Sequence, residues 1–312
     1  MAKLGARHAD ACLTYDYLHG RQVTDGKAMR SFNRAGLPAL VAASCAFLAW
    51  STPASAKTMP VPKLKSSSVL IVDQGDSSVL FSRRSDVAAP IASITKLMTA
   101  LVVLDAKQPL GEPLEITRAE AELPKTRGSR LTVGAVLTRG DLMHLALMSS
   151  ENRAAHALGA NYPGGVPAIV RAMNAKAAAL GMTTAHFVDP TGLSSDNVAS
   201  PEDLTKLVHA AGQNAHIREY STDPSYTVRI ARHLVEFHNT DNLVKNPAWN
   251  IVVQKTGYIA EAGKCLVMEA VIEGRNVIIV LLDSAGRLTR VADAKRVKTW
   301  MESTERVRVS MR

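Results

Sequence analysis

The sequence predicts an α+β fold in which strands from the two ends of the chain share one antiparallel sheet. Two observations carry this: β-rich runs lie near both ends, at 69–81 and 251–283, and the stretch between them is patterned for helices. A third bounds the class. Of 312 residues, 46% are hydrophobic and 21% charged, which suits a globular chain and excludes a disordered or multi-span membrane one. Lys and Arg outnumber Asp and Glu by 37 to 28. The basic residues are scattered and aromatics make up only 4%, so no nucleic-acid surface is legible and no nucleic-acid partner is expected.

The chain opens with a targeting pattern. Met29-Arg30 and Arg34 precede an apolar run over 35–50, followed by Ala54-Ser55-Ala56. A positive region, an apolar region and a small-x-small site together spell a cleavable secretory signal. Cleavage is expected after Ala56, with 1–28 an upstream extension ahead of a start at Met29. The run is broken by Pro38 and falls short of the roughly 20 residues of a membrane span. The expected organisation is therefore 1–56 as extension and signal peptide, and 57–312 as one domain. Six basic and three acidic residues precede Lys57, so the mature chain carries a net charge of +6. Cys12 and Cys45 leave with the leader, and Cys265 alone cannot form an intramolecular disulfide.

The mature elements follow in order. Residues 57–67 read as a polar, loosely ordered lead-in. Runs at 69–73 and 79–81 flank Gln74-Gly75-Asp76-Ser77-Ser78 and read as a hairpin. A helix is expected over 91–106, just after Pro90, and others over 139–148, 153–159, 166–180 and 201–211. The last opens on Ser200-Pro201, a helix cap with proline at the first helical position. Strands are expected at 251–259, 265–272 and 277–283, and an amphipathic helix over 291–304 closes the chain.

Three short motifs carry chemistry. Ser93-Ile94-Thr95-Lys96 opens the 91–106 helix. Residues three apart share a helical face, so a neutral Lys96 amine can take the Ser93 proton. The helix N-terminus adds backbone N–H groups for an oxyanion. Alone, such a tetrapeptide arises by chance about once in a chain this long, and reads equally as a helix-start serine beside a solvated lysine. Lys255-Thr256-Gly257 lies in the 251–259 strand, where glycine weakens the strand unless another backbone comes close. A substrate peptide added to that edge would be such a backbone, with Lys255 and Thr256 offering a cation and a hydroxyl to its carboxylate. Ser-x-Asn occurs twice after the leader, as Ser150-Glu151-Asn152 between two helices and as Ser195-Asp196-Asn197 in a loop after Asp189-Pro190-Thr191-Gly192. A pair held between helices is better preorganised, so Ser150 and Asn152 are the candidates and the second copy reads as turn chemistry.

Taken in this order in an exported chain, the three motifs resemble those of the penicillin-binding, active-serine DD-peptidase and β-lactamase superfamily. Stretches 90–100, 145–154, 162–165 and 263–268 are similar to its D-alanyl-D-alanine endopeptidase subgroup, and the resemblance covers about residues 69–301. It implies a β-lactamase/transpeptidase-like fold, an antiparallel sheet flanked by helices with a helical subdomain, and makes 57–312 the catalytic domain. It implies Ser93 as acyl-ester nucleophile, Lys96 as its proton acceptor and Ser150 as proton relay to the leaving amine. Asn152 would bind the substrate peptide, and Lys255 and Thr256 its carboxylate. Lys255 would also tune the field at Lys96, and Gly257 would leave room for the backbone. The N–H groups of Ser93 and Tyr258 would form the oxyanion hole.

The implied activity is hydrolysis of D-alanyl cross-links between peptidoglycan stem peptides, with β-lactam antibiotics as covalent inhibitors and no cofactor. A D-alanyl-D-alanine carboxypeptidase is the alternative. A β-lactamase, for which no glutamate in 124–210 is assignable as water activator, and a non-hydrolytic β-lactam sensor rank lower. Related carboxypeptidases carry an extra β-domain and an amphipathic membrane anchor. Only 55 residues follow Gly257, so neither is expected, and the protein is expected free in the periplasm. The nine histidines show no metal-ligand spacing, no metal is expected, and His233 and His238 read as surface or loop residues.

Overall fold

Apolar runs at the two ends of the chain are satisfied by pairing with each other. In the computed structural model, which describes residues 61–124, 128–286 and 288–310, β1 (Ser66–Asp73) and β2 (Val79–Arg83) form the first hairpin. A short β3 (Ala89–Pro90) leads through a 3₁₀ turn (Ala92–Ile94) into α1 (Thr95–Asp105). Then come β4 (Pro113–Glu115), α2 (Arg118–Glu122), β5 (Val136–Thr138), α3 (Arg139–Met148), α4 (Asn152–Ala160) and α5 (Gly165–Ala179). After β6 (Val198–Ala199) the chain forms α6 (Pro201–Gly212), α7 (Ala215–Thr222) and a hairpin of β7 (Ser225–Ile230) and β8 (His233–His238). A meander of β9 (Asn250–Ile259), β10 (Gly263–Ile272) and β11 (Arg275–Ser284) precedes α8 (Thr289–Ser310). The leader, with its expected cleavage site and start at Met29, lies outside the described residues, as do 57–60 of the lead-in.

The sheet runs β2-β1-β11-β10-β9, and β1 lies antiparallel to β11 with Val69 opposite Leu281 and Ile71 opposite Ile279. Successive side chains alternate between the two faces. Val69, Ile71, Met268, Ile279 and Leu281 pack under Ala294, Val297 and Met301 of α8. Leu70, Val267, Ile278, Val280 and Leu282 join the core of the helical side. Each such side chain contributes roughly 1.5–3 kcal/mol on burial, which fixes the register from both faces. α1 is buried from Thr95 through Val103, so it is a central helix enclosed on all sides.

The structure departs from the expectations where tertiary contacts decide. The lead-in is ordered before Ser67: Leu64 is buried, and the N–H groups of Lys65 and Ser66 donate to the buried Asp293 at 2.9 and 2.7 Å. His233 and His238 are exposed, as read, but they are the two ends of a strand, because β8 pairs with β7 from Ser225–His238 to Ile230–His233. α2 is too short for periodicity to reveal and stands on a capping box between Thr117 and Glu120. Ser93 belongs to the 3₁₀ turn ahead of α1, not to the helix itself.

One buried group in this fold generates a pH prediction. Glu269 on β10 is 5% exposed, and its Oε2 has no hydrogen-bond partner. A Cβ on Gly212 of α6 would overlap that oxygen, so the glycine makes room for it. Burial raises the Glu269 pKa, with His209 and Arg218 opposing. A carboxyl whose folded pKa is raised contributes its full stability below the unfolded pKa and loses it as pH rises through the folded one. Glu269→Gln, which cannot ionise, should therefore match wild type at about pH 4 and be the more stable protein at about pH 7. Denaturant unfolding at both values checks this, and a constant difference between the two would contradict it.

Candidate active site

The site is organised around a backbone feature that the motifs do not announce. Ala92, one residue before Ser93, has φ +48°, a left-handed conformation that costs a non-glycine residue about 1–2 kcal/mol. Two glycines close on it. Gly192, itself at φ +78°, approaches so near that a Cβ there would overlap the Ala92 carbonyl and lie 2.9 Å from the Ser93 nitrogen. A Cβ on Gly257 would lie 2.8 Å from the Ile91 carbonyl oxygen and 3.4 Å from the Ser93 nitrogen. Gly257 thus leaves room for this chain's own 91–93 backbone.

Lys96, in the first turn of α1, points its amine back at this turn. It is 1% exposed. Its Nζ lies 2.7 Å from Ser93 Oγ, 2.7 Å from Asn152 Oδ1 and 2.6 Å from the Thr191 carbonyl oxygen. Burial lowers its pKa to about 7, while the carboxylates of Asp189 and Glu151 resist the shift. An amine with that value is largely neutral in mildly alkaline solution.

The Thr191 carbonyl is held there by the loop whose Ser195-Asp196-Asn197 the sequence marks as a turn. Thr99, one turn along α1 from Lys96, donates to the Pro190 carbonyl at 2.7 Å, so one helix face grips two successive carbonyls. Asp189 folds the loop from inside, accepting from the N–H groups of Thr191, Gly192 and Ser194 at 2.6, 2.8 and 3.0 Å. Burial would raise its pKa, but hydrogen bonds from Thr191, Ser194 and Gly192 outweigh that and hold it below the usual range. Asn197 completes the loop. It is fully buried, accepts from the Val188 N–H at 2.7 Å and donates to Asp189 Oδ2 at 2.9 Å. Asn197 of the second Ser-x-Asn copy thus braces the turn that brings the Thr191 carbonyl to Lys96.

Ser150 and Asn152 occupy the link between α3 and α4. Ser150 has φ +60°, and the N–H groups of Ser149 and Glu151 both return to the Leu145 carbonyl at 3.1 Å. This left-handed helix end carries a non-glycine residue, a form of strain that gathers at functional sites. Asn152 begins α4 and reaches Lys96, so the first and second motifs are in direct contact.

On the opposite wall, Lys255 and Thr256 of β9 are buried. Lys255 Nζ donates to the Thr256 carbonyl at 3.0 Å. Its pKa falls well below the ordinary value, through burial first, then the charges of Lys96 and Arg290. Burial is the first cause for both amines, and the repulsion between the Lys96 and Lys255 charges disfavours having both protonated. The Thr256 hydroxyl lies 2.6 Å from that of Thr240, which is exposed and whose N–H donates to the Met148 carbonyl at 3.1 Å. Thr240 therefore ties the end of α3 to β9. Arg290 of α8 donates to the Gly257 carbonyl at 3.0 Å, and Tyr258 stands 58% exposed with the Lys264 amine 3.5 Å from its ring centroid. Thr240 and Arg290 escaped the sequence reading, which named Asp189, Thr191 and Asn197 but only as parts of a loop.

A pair of glycines isolates the effect of close approach. Gly181 also has positive φ, at +70°, but open space where a Cβ would stand. Gly181→Ala should cost about 1 kcal/mol from backbone strain alone. Gly192→Ala adds a backbone collision and should cost at least about 3 kcal/mol. Equal costs in denaturant unfolding would mean that Gly192 does not hold the Ala92–Ser93 turn.

Comparisons with known proteins give the family and the fold. The D-alanyl-D-alanine carboxypeptidase family model matches residues 55–286. A D-alanyl-D-alanine endopeptidase of Pseudomonas aeruginosa is 47% identical over 82% of this chain and 86% of its own. One from Escherichia coli is 45% identical over 80% of this chain and 81% of its own. Among solved structures, the Streptomyces DD-transpeptidase superposes with a TM-score of 0.72 at 27% identity, covering 77% of this chain and 98% of its own. A Mycobacterium tuberculosis D-alanyl-D-alanine carboxypeptidase gives 0.72 at 28%, over 80% and 95%. The fold is thus the transpeptidase-like α+β fold expected from the motifs, and the chain belongs to the D-alanyl-D-alanine carboxypeptidase family of serine DD-peptidases.

Proposed function

We propose that this protein is a serine DD-endopeptidase that hydrolyses D-alanyl cross-links between peptidoglycan stem peptides through an acyl-enzyme on Ser93. The observation that carries the chemistry is the Lys96 amine, buried, near-neutral and 2.7 Å from Ser93 Oγ. Similarity to relatives named endopeptidases, at 47% and 45% identity, favours the cross-link over the terminal D-Ala-D-Ala bond.

In the proposed cycle, Lys96 takes the Ser93 proton as Oγ attacks the D-alanyl carbonyl carbon. The carbonyl oxygen becomes an oxyanion between the N–H groups of Ser93 and Tyr258. Ser150 passes a proton to the amine as the peptide bond breaks, leaving an ester on Ser93. Water then attacks the ester, giving up its proton along the same path, and releases the acid. Asn152, its oxygen on Lys96, presents its amide to the substrate backbone. With Lys255 buried against the Thr256 carbonyl, a substrate carboxylate would be met by the Thr256 hydroxyl, which is bonded to that of the exposed Thr240. Penicillins would acylate Ser93 by the same attack. Glu151 accepts from the Arg153 N–H and the Ser129 hydroxyl at 3.2 and 2.9 Å through Oε1, which makes it the cap of α4.

Residues 57–312 would be the catalytic domain, delivered to the periplasm by a signal cleaved after Ala56. Among the described residues no helix is long and apolar enough to cross a membrane. Intact-mass measurement of the exported protein should give an N-terminus at Lys57, and a retained leader would overturn that assignment.

Ser93→Ala should abolish covalent labelling by a penicillin, and Ser150→Ala should slow turnover roughly 10²-fold or more. Ser195→Ala should leave both near wild type, and a loss there equal to that of Ser150→Ala would mean the wrong Ser-x-Asn has been chosen. The acylation rate should rise with pH through about 7, because a lowered lysine pKa leaves the amine neutral above it. Lys96→Arg should lose that limb, and a flat wild-type profile would contradict the base role.

Bond preference is decided by competition. Equal amounts of cross-linked dimer and uncross-linked pentapeptide muropeptide are incubated with the mature protein and followed by mass. Monomers should accumulate first. Free D-alanine appearing well before them would identify a carboxypeptidase instead.

A further inference from the structure

The proposed oxyanion donors are backbone N–H groups, and no side chain of their own can aim them. A trans peptide is planar, with its C=O and N–H on opposite edges, so whatever grips the carbonyl sets the direction of the N–H. Both carbonyls are gripped here, by residues outside the three motif roles. The Ala92 carbonyl shares a peptide with the Ser93 N–H, and it accepts both the backbone N–H of Thr95 and, at 2.8 Å, the Thr95 hydroxyl. Thr95 is fully buried. The Gly257 carbonyl shares a peptide with the Tyr258 N–H, and it accepts Arg290 Nη1 at 3.0 Å.

The two peptides also lie against each other. Gly257 leaves space for the Ile91 carbonyl and the Ser93 nitrogen, so a tilt of either plane is felt by the other. Arg290 is costly where it sits. Its Nε is buried without a hydrogen-bond partner, and the buried Lys255 opposes its charge while the buried Asp241 supports it. Its bond to Gly257 is a specific return for that cost. A guanidinium on the carbonyl also polarises the peptide and strengthens the N–H on its far edge as a donor.

We propose that Thr95 and Arg290 are positioning residues of the oxyanion hole, holding the carbonyl ends of the two peptides so that the Ser93 and Tyr258 N–H groups converge on one oxygen. This rests on the serine-peptidase reading above. It assigns catalytic consequence to a threonine hydroxyl buried in α1 and to an arginine on the last helix.

The test compares Thr95→Val, Thr95→Ser, Arg290→Met and Arg290→Lys in the full mature chain. Three quantities are read: kcat and KM on a D-alanyl peptide, and affinity for an acylaminomethyl boronic acid that lacks any carboxylate. The boronate forms a tetrahedral adduct on the nucleophile and places an oxygen in the hole. Thr95→Val and Arg290→Met should lower kcat and boronate affinity together, each on the order of 10- to 100-fold, with KM changed by less than about 2-fold. Thr95→Ser should restore most of the loss, and Arg290→Lys part of it. A rise in KM with kcat and boronate affinity unchanged would make Arg290 a substrate-carboxylate ligand and overturn its positioning role. Full activity in Thr95→Val would do the same for Thr95. If the two deletion variants do not fold, full rates in Thr95→Ser with wild-type rates in Arg290→Lys overturn the arginine's part, and a graded loss in Arg290→Lys supports it. Wild type that neither binds the boronate nor is labelled by a penicillin would instead sink the serine-peptidase reading itself.

Discussion

A buried amine facing three oxygens is the constraint on which the rest of this site depends. Two of the oxygens around Lys96 Nζ, from Asn152 and Thr191, are carbonyl oxygens and can only accept. The third is the Ser93 hydroxyl, which can also donate. A neutral amine has two N–H bonds and one lone pair. The two carbonyls take the N–H bonds, and the lone pair is left for the one neighbour that can supply a proton. Burial moves the lysine from 10.5 to about 7, a change worth roughly 5 kcal/mol against the ammonium. The geometry accommodates that neutral state and desolvation favours it, which leaves an amine able to accept from Ser93.

Keeping that arrangement requires three separate pieces of chain. α1 supplies Lys96 and, through Thr99, grips the loop that brings the Thr191 carbonyl. Asp189 and Asn197 stiffen the loop, and the absence of a side chain at Gly192 lets it press on Ala92. The α3–α4 link delivers Asn152 while holding Ser150 in a left-handed conformation, and Thr240 ties that link to β9. The strain at Ala92 and Ser150 is tolerated because each sits between elements fixed by the sheet and the central helix. Loosening one wall therefore alters the surroundings of the amine, even from several residues away.

The large elements were legible because their physics is local. Strands buried on both faces read as apolar runs, and the terminal pairing of β1 with β11 followed from where those runs lay. The helices from α3 to α6 matched their expected spans to within a few residues. The three motifs meet in the structure, the first two hydrogen-bonded through Lys96 and Asn152 and Gly257 of the third lying against the 91–93 backbone. What escaped was whatever depends on distant partners. The 189–197 loop has the composition of an ordinary turn, and its importance comes from a carbonyl that meets a lysine 95 positions away. Arg290 lies just before the expected 291–304 helix, and its importance comes from a carbonyl 33 positions away. The β7–β8 hairpin is half exposed, so its pattern was diluted by polar residues.

Direct titration of Lys96 tests the central claim. The mature protein, carrying ¹³C at the lysine ε-carbons, would be followed by NMR across the pH range, with Lys96→Arg identifying the resonance. The account predicts one lysine titrating near 7, well apart from the exposed lysines at their ordinary values, and missing from the Lys96→Arg spectrum. A Lys96 signal that titrates with the exposed lysines would show an ammonium at neutral pH, and the amine could not then be the group that takes the Ser93 proton.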